Sequence, residues 1–291
     1  MALISGQSLI GSGEGMKIYI SVDMEGITGV SHRRFLLEKE AEYERGRKLL
    51  MGDLNAAIEG AVEAGVDEIL VNDAHGSMRN IVIEDLHEKA DLITGFPKEN
   101  LMMSGIDSTF DAVILVGYHA KAGSHGVLAH TISGKTFVEI EINGTSYGEA
   151  GLSAALAGFY SVPVVMLSGD DILKEEVSKF LPDAEVAVVK ERMSNTSAKM
   201  IHPQRARKAI REKAKAGILK CKAAGIFDIG ENLKVKISLK EVSQCDIAQA
   251  IPGIERTSPR EIEYIANDIP EVNNMIITIF SACCILDIGL Y

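Results

Sequence analysis

Short apolar runs typical of buried strands alternate with helical patterns along most of this chain. The runs KIYISVD, DEILVNDAHG and FDAVILVGYHA are rich in β-branched residues, and segments with helical spacing, such as EKEAEYERGRKLLMGDLNAAIEGAVEAG, stand between them. The runs FVEIEING, VPVVMLSGD and AEVAVVKE continue the series. Because parallel strands need crossover connections that cover the sheet, this order predicts a three-layer α/β/α fold with a mostly parallel sheet.

The pattern changes near residue 200, where a basic helix, one strand and shorter polar segments follow. This order predicts a smaller α+β unit over residues 201–291, packed against a main α/β domain over residues 16–200. Residues 1–15 lack Lys and Arg and end in Gly and Ser, so we expect a disordered leader or cloning remnant there, with Met16 as the natural start.

Composition excludes several classes of protein. The net charge of −11 argues against a nucleic-acid partner, because phosphate binding needs clustered Lys and Arg. The longest apolar runs are too short to cross a bilayer, so we expect no membrane partner. Without an export signal or CxxC spacing, a cytoplasmic location with reduced cysteines is expected.

Acidic and imidazole side chains follow three of the predicted strands at the point where each strand ends. Asp23 and Glu25 follow the first strand, Asp73 and His75 end the second, and His119 ends the third. Ligands of open parallel sheets bind beyond the carboxyl ends of the strands. Divalent cations take this mixture of oxygen and nitrogen ligands. The pattern therefore predicts a metal site at this edge of the sheet.

The spacing of Asp23 and Glu25 favours more than one metal ion. Residues two apart on a strand point to the same side, where two carboxylates repel each other unless a cation lies between them. With two imidazoles nearby, a dinuclear centre with one bridging carboxylate is indicated.

Two further segments are candidates for the same site. Glu149 stands near the start of a helix and, taken alone, is better explained as a favourable charge at the helix N-terminus. The Gly-rich segment KAGSHGVLAHTISG carries His125 and His130, and spacing indicates that one of them is functional without separating them. Structural roles are expected for the remaining polar candidates: helix caps for Asp170 and Asp171, and hydrogen-bonded positions for His32, His87 and His202.

Five separated motifs resemble the successive signatures of the zinc-dependent D-aminopeptidases associated with bacterial dipeptide-transport operons. They are SVDMEGITGV, VNDAHGSMRN, LVGYHAKAG, AHTISG and NGTSYGEAG, in that order. The resemblance runs from about Lys17 to at least residue 200, and the rest of the chain is also similar to that family's C-terminal region.

The resemblance implies the ligands, the catalytic group and the assembly. Asp23 would bridge two zinc ions per subunit, and His130 would be the catalytic histidine, as nucleophile or base. The family also implies a homodecamer of stacked pentameric rings, with small D-peptides such as D-Ala-D-Ala as substrates. The implied zinc ligands are Asp23, Glu25, His75, His119 and Glu149.

The resulting hypothesis is metal-assisted hydrolysis of a peptide bond, with proton transfer or oxyanion stabilisation by His130. Asp73 is expected to orient a ligand imidazole by accepting its other N–H. Two alternatives stay open: a metal-dependent hydrolase of other small peptides or amides, and a non-enzymatic peptide-binding component of transport. The missing export signal argues against the second.

Overall fold

The main sheet of the protein has seven strands. The computed structural model describes residues 15–288, so the expected leader lies outside the described residues apart from Gly15. The strands are β1 (Lys17–Val22), β2 (Glu68–Asp73), β3 (Ala90–Ile93), β4 (Ala112–Val116), β7 (Val164–Asp170), β8 (Glu185–Ser194) and β9 (Ser197–Met200). Their order is β3-β2-β1-β4-β7-β8-β9, and every neighbouring pair is parallel except β8 and β9. The predicted mostly parallel sheet is confirmed.

Helices cover both faces of this sheet. Side chains of β1 alternate between two cores, as the pleat requires. Ile18 and Ile20 pack among residues of the helices at 43–63 and 203–219, and Tyr19 packs among residues of the helices at 149–159 and 269–283. Between β2 and β3 the chain forms a short 3-10 turn, Ile83–Asp85. The helices are α1 (Tyr43–Glu63), α2 (Glu149–Phe159), α3 (Asp171–Val177), α4 (Pro203–Leu219), α5 (Val242–Ala248) and α6 (Ile269–Cys283).

A second sheet, antiparallel and five-stranded, stands beyond α2 and α6. Its strands are β5 (Phe137–Ile142), β6 (Thr145–Ser146), β10 (Leu233–Leu239), β11 (Glu255–Ser258) and β12 (Glu261–Ala266), in the order β11-β12-β10-β5-β6. A turn at Asn143 and Gly144 joins β5 to β6, with positive φ at both residues. The domain boundary at residue 200 stays a prediction; this sheet takes strands from both sides of it, and α4 packs on α1.

One stretch of the described chain meets the length and composition of a membrane span. It covers Ile269–Leu286, with a mean hydropathy of 1.6, and a third of it is buried. Its buried side chains, among them Ile269, Ile276 and Ile279, belong to the same core as the second sheet. Packing of this kind is typical of the core helix of a globular domain.

Candidate metal centre

Three adjacent strands bring the predicted ligands to one edge of the main sheet. Asp23 and Glu25 follow β1, while His75 and His119 follow the two neighbours of β1, β2 and β4. Gly26 allows the loop after β1 to lie against the end of β4: its N–H donates to the carbonyl of Gly117 over 2.7 Å. A Cβ at Gly26 would lie 1.9 Å from a main-chain oxygen, so no larger residue fits there.

The carboxylate of Asp23 lies between two histidines. Its Oδ1 is 3.2 Å from His75 Nδ1, and its Oδ2 is 3.4 Å from His119 Nε2. Glu25 Oε2 lies 3.0 Å from the same atom of His75, and Glu149 Oε2 lies 3.2 Å from the same atom of His119. The five expected ligands therefore form two groups that share Asp23, which is the arrangement of a bridging carboxylate.

His130 joins the second of these groups. Its ring stacks on that of His119 with centroids 4.3 Å apart, and its Nε2 lies 3.5 Å from Glu149 Oε1. The donor atoms of His119, His130 and Glu149 lie within 4.8 Å of one another, as do those of Asp23, Glu25 and His75. The geometry therefore places His130 where it could ligate a metal as well as act on a substrate. His125, the other histidine of this loop, is exposed.

Each of the three histidines is oriented by a main-chain carbonyl. His75 Nε2 lies 3.1 Å from the carbonyl of Leu36, and His119 Nδ1 lies 3.0 Å from the carbonyl of Ala120. His130 Nδ1 lies 3.1 Å from the carbonyl of the residue two before it. When each outer nitrogen donates its hydrogen there, the inner nitrogen of the neutral ring offers its lone pair to the carboxylates.

When the imidazoles are neutral and carry their hydrogens on the outer nitrogens, two carboxylate oxygens of the site have no hydrogen-bond donor. They are Asp23 Oδ2 and Glu25 Oε2, and both are buried. A buried carboxylate oxygen without a donor is costly, because burial removes the water that would otherwise solvate it. Together with three inward-facing imidazole nitrogens, these oxygens fit a pair of divalent cations such as zinc.

The role expected for Asp73 is wrong. Its carboxylate accepts from the main-chain N–H groups of Asn80 and Ile81 and from the Asn80 side chain, so it fixes the loop after β2. The carbonyl of Leu36, 39 residues from His75, takes the place foreseen for Asp73. A main-chain carbonyl carries no side-chain signal, so the sequence could not indicate it.

Of the two expected caps, Asp170 is confirmed and also holds the loop of His130. The expectation for Asp171 is wrong: it is the first residue of α3, and its Oδ1 accepts from the Arg192 N–H over 2.8 Å. Asp170 caps α3 by accepting from Leu173 N–H over 2.7 Å, and its other oxygen accepts from Val127 N–H over 2.6 Å. His32 and His202 accept at the starts of their helices.

The loop around His130 is strained at its other end. Ile132 has φ of 60°, a conformation that costs a β-branched residue about 1–3 kcal/mol. Its N–H donates to Glu149 Oε1 over 2.6 Å, so the strained turn orients a carboxylate of the site. The sequence indicated neither the left-handed backbone of Ile132 nor its hydrogen bond to Glu149, because a left-handed isoleucine has no local signature.

Burial and charge shift the ionisation of the site. Burial and the neighbouring Glu25 raise the pKa of Asp23 to about 6. Burial opposes charge on His75 and His119, but the adjacent carboxylates outweigh it and raise the pKa of both imidazoles above the usual range. The same histidines lower the pKa of Glu25 against the effect of burial. Without metal, the site therefore favours the protonated forms of His75 and His119.

Zinc binding should therefore release protons, and the apparent zinc affinity should rise as the pH is raised through neutrality. The reason is that an imidazole must be neutral to ligate a metal, whereas the raised pKa values of His75 and His119 favour the protonated form. Calorimetric titration in two buffers of different ionisation enthalpy measures the number of protons released. An observed enthalpy that does not depend on the buffer would contradict this prediction.

A small cavity of about 210 Å³ opens onto the centre. Asp23, His75, His130 and Glu149 form its polar wall. No lysine or arginine is among its lining residues in the described part of the chain. The larger apolar residues of its lining, called here the apolar wall, are Met78, Phe96, Leu101, Met102, Ile132 and Phe280.

Paired donor groups of carboxylate and imidazole at the carboxyl edge of a parallel sheet, beside a small cavity, are the arrangement expected of a metal-dependent enzyme of the α/β class. The model of the D-aminopeptidase family matches residues 16–278. The chain therefore belongs to the D-aminopeptidase family, which confirms the resemblance in the five motifs and makes the protein a peptide hydrolase.

Two relatives from Bacillus subtilis agree with this assignment. A D-aminopeptidase of strain 168 is 35% identical over 258 residues, which is 88% of this chain and 93% of that protein. A solved structure is described as the Zn-dependent D-aminopeptidase DppA, a self-compartmentalizing protease. It shares 32% identity, covers 92% of this chain and 98% of its own, and superposes with a TM-score of 0.89.

Proposed function

We propose that this protein is a zinc-dependent aminopeptidase that removes the N-terminal residue from short D-amino-acid peptides such as D-Ala-D-Ala. The observation that carries the proposal is the sharing of Asp23 between two donor groups, one with Glu25 and His75 and the other with His119 and Glu149. This arrangement supports two zinc ions per subunit. The description of DppA as Zn-dependent supports the choice of metal.

When bound, zinc lowers the pKa of water and polarises a peptide carbonyl. His130 is the group that moves the proton. It is the most exposed of the six side chains, at 24%, and it lines the cavity. With Nδ1 donating to a main-chain carbonyl, its Nε2 is able to accept a proton from the attacking water and deliver it to the leaving amino group.

The cavity supports recognition of an amino terminus. No lysine or arginine of the described chain lines it, and zinc held by Asp23 and Glu149 would take the neutral amine of a peptide as a nitrogen ligand. The volume of about 210 Å³ is below the range of about 300–1,000 Å³ that is usual for drug-sized ligands. A short peptide with small side chains is therefore the substrate that fits.

The apolar wall gives a physical basis for the choice between D and L residues. When the amino group and the carbonyl of a residue are both held at the metal centre, its side chain points in opposite directions in the two enantiomers. In only one of them does a methyl group meet the apolar wall that includes Met78 and Leu101. We propose that the D form is the one accepted.

Purified full-length protein loaded with zinc should release D-alanine from D-Ala-D-Ala, and chelation followed by dialysis should abolish the release. L-Ala-L-Ala under the same conditions is the matched control and should not be cleaved. Chiral chromatography of the released alanine measures both reactions. Equal cleavage of the L form would instead support the alternative, a metal-dependent hydrolase of other small peptides. Binding of both peptides by the zinc-loaded protein without cleavage would favour a transport component instead.

We also propose that the enzyme is a cytoplasmic homo-oligomer, a homodecamer in the family's manner. The description of DppA as self-compartmentalizing supports the assembly. Cys221, Cys245 and Cys283 are buried free thiols, the usual state of cysteine in a reducing compartment. Sedimentation velocity of the purified protein tests the assembly, and a monomer at micromolar concentration would contradict it.

A further inference from the structure

Lys190 is a fully buried lysine whose side chain ends beneath the loop that carries Glu25. It lies in β8, and none of its surface is exposed. Its Nζ donates to the main-chain carbonyls of Glu25, Ile27 and Val30, the bond to Ile27 being 3.1 Å long. An ammonium group has three hydrogens to donate, so its whole donor capacity serves this one loop.

Burying an ammonium group is costly, because the charge loses its hydration. At a fully buried position of β8, an apolar side chain of similar volume would avoid this cost, and replacements of that kind are often neutral or stabilising. The three acceptors of Lys190 are main-chain oxygens of a single loop rather than carboxylates. The lysine is therefore explained by the loop that it holds and not by the stability of its own strand.

The other anchors of this loop hold different atoms. The N–H groups of Asp23 and Gly26 donate to main-chain carbonyls at the end of β4 over 2.8 and 2.7 Å. The N–H of Thr28 donates to the buried carboxylate of Asp53, in α1, over 2.8 Å. Lys190 is the group that holds the carbonyl of Glu25, whose side chain belongs to the first donor group.

The second donor group is fixed by contacts that do not involve Lys190. Glu149 Oε1 accepts from Ile132 N–H over 2.6 Å, and His119 is oriented by the carbonyl of Ala120. None of the three carbonyls that Lys190 holds belongs to a residue of this group. Any effect of the lysine on metal binding should therefore be confined to the first donor group.

We propose that Lys190 is a positioning residue for the carboxylate of Glu25, required for metal binding by the group of Asp23, Glu25 and His75 and not by the group of His119 and Glu149. The proposal rests on the proposed zinc centre. Contacts that orient a metal-ligating residue without touching the metal are worth about 10- to 100-fold in metal affinity. Loss of the ammonium group should lower the affinity for one zinc ion by that factor and leave the affinity for the other unchanged.

The test is a competition titration with a chromogenic chelator, which resolves two successive zinc affinities. The variants are Lys190→Met, which keeps the length of the side chain, and Glu25→Gln, which identifies the ion that depends on that carboxylate. Lys199→Met is the matched control, because Lys199 is an exposed lysine of the neighbouring strand. We expect Lys190→Met and Glu25→Gln to weaken the same ion, and the double variant to bind zinc no worse than Glu25→Gln alone.

Three results would overturn the proposal. Two unchanged affinities in Lys190→Met would defeat it while leaving the zinc centre intact, and so would equal weakening of both ions in a variant whose circular dichroism is native. Failure of the wild-type protein to bind zinc would instead defeat the proposed function itself, and the proposal with it. If Lys190→Met does not fold, Lys190→Arg gives the same readout, because a guanidinium keeps the charge but cannot direct three hydrogens from one nitrogen.

Discussion

Replacement of His130 by alanine should lower the rate of D-Ala-D-Ala hydrolysis by about 10²- to 10⁴-fold, the usual contribution of a general acid–base group. The ring lines the cavity, and its Nε2 lies 3.5 Å from Glu149 Oε1. When Nδ1 donates its hydrogen to a main-chain carbonyl, Nε2 of the neutral ring carries a lone pair and is free to accept a proton. The measurement is kcat at saturating substrate together with zinc per chain from mass spectrometry. His125→Ala, in the same loop but exposed, should leave both values unchanged.

The zinc content decides between the two roles that the geometry admits for His130. Unchanged zinc with lost activity supports proton transfer. Loss of the ion held with His119 would make His130 a ligand, since its donor atom lies within 4.8 Å of that group. Full activity with both ions bound would show that the catalytic assignment is wrong.

Replacement of Asp23 by alanine should abolish measurable hydrolysis and lower the affinity for both zinc ions by more than about 100-fold. This exceeds the loss of about 10- to 100-fold that follows removal of a group that only orients a ligand. The expectation follows from the position of this carboxylate, whose two oxygens face His75 and His119. Glu25→Ala and Glu149→Ala should each weaken mainly one ion. The chelator titration measures all three variants.

Asp91→Ala is the control for Asp23→Ala, because Asp91 is an exposed aspartate in a strand of the same sheet. Its zinc titration should match that of the wild type. Retention of one ion at full affinity by Asp23→Ala would mean that the carboxylate serves a single metal. The bridging arrangement would then have to be abandoned.

The sequence was most informative where the topology of the sheet decides which residues meet. Alternation of strands and helices forces the carboxyl ends of parallel strands to one edge, so the sequence alone was enough to place Asp23, His75 and His119 together. Glu149 could not be placed in this way. It stands at the start of α2, after the chain has crossed into the second sheet and returned, and only the family resemblance selected it.

Membership of the second sheet was missed, although a signal for it is present. The strand FVEIEI alternates apolar and acidic residues, with Glu139 and Glu141 half-buried, whereas VVMLSGD of β7 is buried throughout. Alternation is typical of an antiparallel sheet with one solvated face, and a continuous run is typical of a covered parallel strand. The contacts of Lys190 and of the Leu36 carbonyl, in contrast, join segments that are distant in the chain, so no local sequence pattern predicts them.

The route of the chain between His119 and Glu149 has a consequence for synthesis. Between these two residues the chain forms β5 and β6, and β5 pairs with β10, nearly a hundred residues later. Phe280 of α6 completes the wall of the cavity. In a nascent chain the wall of the cavity would therefore stay incomplete until α6 has been made and has folded against it.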